Sequence, residues 1–136
     1  MPTNLIPKIV LTLMTLYYAW VPAMADIGDS HLHNHEWSAH SRVHLVWFLI
    51  FTGFVAVIAI AAMWWKNALV LAALLGLAFN GAFLIAGALA STYDGEIGGG
   101  SGIPIQVIEF GTLAVLFAAA LVWFGFSERR GDHSLV

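Results

Sequence analysis

The apolar positions of this chain come in long blocks, with the polar positions gathered in the gaps between them. Four blocks stand out, at about residues 5–25, 43–65, 68–91 and 103–126. Each holds roughly 20 residues or more, enough to cross a hydrocarbon core of about 30 Å at 1.5 Å per residue. None alternates with a period of two, as the strands of a membrane barrel would, so helices are the predicted spanning form. Only Trp64 to Asn67 separate the second and third blocks, which predicts a tight hairpin. The wider gaps are a His-rich loop at 26–42 and a Gly-rich loop at 92–102. In the latter, Gly98, Gly99, Gly100 and Gly102 favour irregular backbone, and Pro104 suits the first turn of the helix that follows. The pattern predicts an all-α fold: one membrane domain over residues 1–136, built as an antiparallel four-helix bundle.

Composition agrees. Of the 136 residues 60% are hydrophobic and 10% charged, against about 45–50% and 25% in soluble domains. An integral multi-pass membrane protein is expected. A net charge of −3 without a basic stripe excludes nucleic-acid binding. The absence of cysteine excludes disulfides, thiolate catalysis, Cys-ligated zinc and iron–sulfur clusters. With four crossings, Lys8, Lys66, Arg129 and Arg130 fall on one side, which the positive-inside rule makes cytoplasmic together with both termini. The His-rich loop (Asp26, Asp29, Glu36) and the Gly-rich loop (Asp94, Glu96) are then extracytoplasmic, and Arg42 is the dissenting charge. Tyr17, Tyr18, Trp20 and Trp47 would mark the outer interface, and Trp64, Trp65 and Trp123 the inner one. "VPAMAD", residues 21–26, resembles a signal-peptide cleavage site, but the preceding run is long and aromatic and follows a single lysine, so its retention as a span is expected.

Five of the six histidines lie between His31 and His44. Ser38 is a good N-cap residue, and a helix starting there carries His40 and His44 on one face, one turn apart. Such a pair is a common way to supply two metal ligands. His31, His33 and His35 alternate in a segment expected to be extended or irregular, which would point them the same way. With Glu36 they extend the candidate metal set for zinc, copper or iron. Against this stands a solvated interfacial loop, since a His-rich tract is only a compositional hint.

Within the spans, Glu109 lies about 9 Å below the outer end of the fourth block by helical rise. Gln106 is one turn above it, Asn80 is mid-span in the third block, and Thr52 is two turns below His44. A carboxyl in a span is by default a functional candidate, while Asn, Gln and Thr are as readily interhelical glue. Under the topology above these residues outline an outward-opening polar cavity, with imidazoles at the rim and Glu109 at the floor. Ala78, Ala82, Ala86 and Ala90 form a small-residue row read as a packing face. Three function classes follow. The first is binding or transformation of a lipid-like small molecule, with His40, His44, Glu109 and Asn80 as acid–base or positioning groups. The second is metal binding by the outer histidines. The third is an accessory role in a homo-oligomer or larger membrane complex. Whether the protein is an enzyme stays open at this level.

"NHEWSAHSRVHLVW", Asn34 to Trp47, resembles a pattern of small four-span membrane proteins: Asn, two residues, Trp, two residues, His, a small residue, a basic residue, one residue, His. It maps onto Asn34, Trp37, His40, Ser41, Arg42 and His44, and departs from the pattern where His35, Ser38 and Ala39 replace expected prolines. The resemblance covers about a tenth of the chain, implies a four-span layout and no reaction, and singles out His40 and His44. A looser likeness to sterol-isomerase-like membrane proteins implies intramembrane proton transfer, by analogy of architecture alone.

Overall fold

The computed structural model describes residues 4–97 and 102–132, with side chains to residue 127. Gly98, Gly99 and Gly100 of the Gly-rich loop, and the side chains of Arg129 and Arg130, lie outside the described residues. The described chain is all-helical: α1 (Leu5–Asp26), α2 (Ala39–Lys66), α3 (Leu69–Ala88) and α4 (Ile105–Asp132), with one 3-10 turn at Ala90–Thr92. All four helices are long and apolar enough to cross a membrane. That is the make-up of an integral multi-pass membrane protein.

The helix ends follow local chemistry. Ser38 caps α2, so that helix begins four residues before its apolar block at Val43. At its other end Asn67 adopts the left-handed conformation, φ 55°, and its N–H reaches the Ala62 carbonyl. Asparagine tolerates that conformation at a helix stop better than most side chains. α3 ends at Ala88, before Ser91, because the chain tightens there into the 3-10 turn. Gly95 N–H returns to the Ala90 carbonyl and Tyr93 Oη donates to the Ala86 carbonyl, closing that end of the helix.

The helices form two compact units, Met1–Asn67 and Ala68–Val136. In the first, α1 packs on α2. Leu11, Thr15 and Tyr18 are buried on α1, and Thr52, Ala56, Ala59 and Met63 on α2, rows spaced three and four residues apart as helix packing requires. Tyr18 therefore belongs to the core and not to the interfacial belt expected of it. One polar zip joins the start of α1 to the end of α2. Trp64 Nε1 donates to Thr12 Oγ1 at 3.0 Å, Lys8 Nζ stands 5.8 Å from the Trp64 ring, and Asn4 Nδ2 donates to Asn67 Oδ1 at 3.3 Å.

In the second unit α3 packs on α4. Its buried row is Leu69, Ala72, Ala73, Gly76 and Asn80. Ala78, Ala82 and Ala86, the packing face expected from the sequence, are exposed. The reason is Gly76: a Cβ there would lie 2.4 Å from the Phe117 ring, so only glycine lets α4 come this close. The alanine row offers no comparably deep notch. Farther along, Phe83 stacks on Phe110 with centroids 3.9 Å apart.

Candidate functional site

The polar head of the first unit, residues 27–47, is built by a few short-range contacts. Ser38 is extended (φ −62°, ψ 151°) and its Oγ accepts from Ser41 N–H at 3.0 Å, satisfying an N–H that the first turn of α2 would otherwise leave unpaired. With α2 started at Ala39, His40 and His44 fall one above the other. Their Nε2 atoms are 3.0 Å apart and their rings are nearly perpendicular, with centroids 4.4 Å apart. Both side chains are exposed, and Trp47 lies beside His44 with centroids 6.0 Å apart. One ring donates its N–H and the other accepts, so the pair is joined by a hydrogen bond at the helix mouth.

The preceding loop is neither extended nor loose. It is a succession of turns, in which His31 and His33 N–H both return to the Gly28 carbonyl, Asn34 N–H to His31, and Trp37 N–H to Asn34. The turns remove the alternation that would have aimed His31, His33 and His35 together. His31 instead lies against its own surroundings: Nδ1 is 2.9 Å from Ser30 Oγ and 3.8 Å from Asp26, and the ring meets Trp37 edge-on at 5.3 Å. His33, His35 and Glu36 are exposed. Among the described residues no group of three or more His, Asp or Glu is gathered as a metal-binding cluster. The expected set of six is thus drawn together only at His40 and His44.

Arg42 is the residue whose role the sequence did not disclose. Its Nη2 donates to the carbonyls of Asn34 (3.1 Å) and Trp37 (3.0 Å), tying the loop to the first turn of α2. Asn34 adds an Asx turn, its Oδ1 accepting from Glu36 N–H at 2.9 Å. The charge that dissented from the topology is a clasp made to neutral backbone. A basic residue four positions after an N-cap is the sequence signal, but its carbonyl partners carry no side-chain signature.

The remaining candidates belong to the second unit, apart from Thr52. Thr52 is buried and Oγ1 donates to the Phe48 carbonyl one turn back, which satisfies it within α2. Asn80 is wholly buried, its Nδ2 donating to the Gly76 carbonyl at 2.7 Å, while Oδ1 has no hydrogen-bond partner among the described residues. Gln106 and Glu109 are half-buried on α4. No family model, curated protein or solved structure matches the chain.

Proposed function

We propose that the protein is an antiparallel four-span membrane protein, with both termini cytoplasmic and an extracytoplasmic head that binds a divalent transition metal through His40 and His44. The observation that carries this reading is the 3.0 Å separation of the two Nε2 atoms on exposed, helix-borne imidazoles. Neutral imidazole nitrogens suit zinc, copper, iron and nickel, and once the donating ring carries its proton on Nδ1 both Nε2 lone pairs are free to turn to one ion. The length of α2 supports the location. Its 28 residues span about 42 Å, while the hydrocarbon core needs about 30 Å. With Trp64, Trp65 and Lys66 anchoring one interface, the surplus emerges at the other end, where His40 and His44 reach water. The Trp64–Thr12 and Phe83–Phe110 contacts are those expected of consecutive spans running in opposite directions.

The test is equilibrium dialysis of purified protein in mild detergent against zinc(II), copper(II) and nickel(II). One ion per chain is expected, with affinity falling in His40→Ala and in His44→Ala while helicity by circular dichroism is unchanged. The loss should exceed the about 10–100-fold that removing an outer-shell partner costs a metal site. Binding that survives both substitutions would refute the assignment.

Asn80 favours a second reading, a site for a lipid-like small molecule with Glu109 as acid–base group. A buried amide oxygen without a protein donor costs about 1–3 kcal/mol by protein mutational data. A hydroxyl-bearing guest would supply the missing donor. A small molecule that co-purifies with the native protein and is lost from Asn80→Leu and Glu109→Gln is the expected outcome; retention in both ends this reading.

A further inference from the structure

The end of the first unit away from the histidines carries two basic side chains and nothing acidic. Lys8 lies one turn into α1, and Lys66 is the last residue of α2. They are brought to one place by Asn4, a turn before Lys8, whose amide donates to Asn67, next to Lys66. Within Met1–Asn67 the carboxylates are Asp26, Asp29 and Glu36, all at or beyond the far end of α1. Among the described residues neither amine has a carboxylate partner or a hydrogen-bond acceptor. Lys8 Nζ is steered by the Trp64 ring 5.8 Å away, and Trp64 is itself fixed by its bond to Thr12. Beside it the Trp65 side chain is 82% exposed, and its indole N–H has no acceptor among the described residues.

We infer that Lys8, Lys66 and Trp65 form a docking surface for the headgroup of an anionic phospholipid, whose phosphate oxygens accept from the two amines and the indole N–H. Lipid is the partner because this is the end of two membrane-length helices, and tryptophans side by side with lysines mark the headgroup level. An amine held at the edge of a hydrocarbon core is costly until an anion or water meets it. Charge then selects the class of lipid. A zwitterionic headgroup brings an ammonium of its own to a place where the first unit has no carboxylate to receive it. An anionic headgroup brings its phosphate without that cation. Basic pockets between spans hold acidic lipid headgroups in this way. The surface shares no residue with the His40/His44 pair or with Asn80.

The test offers full-length protein in mild detergent an equimolar mixture of phosphatidylglycerol and phosphatidylcholine, and counts retained lipids by native mass spectrometry. Phosphatidylglycerol should be retained in preference, and should raise the melting temperature more than phosphatidylcholine does. Lys8→Gln and Lys66→Gln, each checked for native helicity, should each weaken phosphatidylglycerol binding about fivefold, the equivalent of about 1 kcal/mol per basic residue at an anionic lipid surface. The double variant should retain the two lipids equally. Equal retention by the wild type would overturn the proposal, as would a preference for phosphatidylglycerol that survives both substitutions. Inorganic phosphate is the remaining arm: a melting shift as large as that given by phosphatidylglycerol would show a site for the free anion and overturn the lipid as its occupant.

Discussion

Gly76 shows how much a single position decides inside an otherwise uniform apolar helix. A Cβ at this position meets the Phe117 ring at 2.4 Å, while one at Gly81 meets nothing within 4 Å. Gly76→Ala must therefore push α4 away or force Phe117 off its rotamer, at a cost of about 1–3 kcal/mol. Gly81→Ala removes a helix-destabilising glycine without a clash, a change worth up to about 1 kcal/mol in the other direction. Thermal unfolding in detergent should show the first variant melting below wild type and the second at or above it. Equal melting of both variants would mean that the close approach of α3 and α4 does not contribute to stability. Asn80 shares this position's fate, because its amide donates to the Gly76 carbonyl.

At the scale of elements, the spans were readable because length and apolarity together select a membrane helix. The buried faces were not, since a helix that is apolar all round carries no periodic signal for which side packs. Two small-residue rows compete on α3, and only the contact of Gly76 with Phe117 separates them. In the polar head, the His40/His44 pair was legible from one-turn spacing after a capping serine. The fate of His31, His33 and His35 was not, because it depends on turns held by backbone carbonyls. Two predictions belong here. Ser38→Ala should cost about 1 kcal/mol and fray the first turn of α2. Hydrogen exchange should then quicken at Ser41 and Arg42 N–H, and metal affinity fall although both histidines remain. Arg42→Met should loosen the loop. The amides of His33, Asn34 and Trp37, each bonded within the turns, should exchange faster, with α2 beyond Thr52 unaffected. Unchanged loop exchange would show that Arg42 is not the clasp.

For the whole molecule the deciding question is which loops share a side of the membrane. Lys8 and Lys66 are brought to one end of the first unit, where Lys8 lies over Trp64 and Asn4 meets Asn67. The proposed topology assigns that end to the cytoplasm by the positive-inside rule, and the His-bearing end of α2 to the other side. A chain without cysteine allows a direct test, because every introduced thiol is unique. Ser30→Cys, Ser91→Cys and Ser127→Cys exchange one oxygen for sulfur at exposed positions, the last at the end of the fourth candidate span. A membrane-impermeant thiol reagent applied to intact cells should label the first two. It should reach the third only after permeabilisation. Labelling of Ser127→Cys in intact cells would break the four-crossing order, and protection of Ser30→Cys would place the histidine pair in the cytoplasm. The second result matters most for the proposed metal binding: it would leave the His40/His44 pair intact, while assigning it to a compartment where the available ions are different.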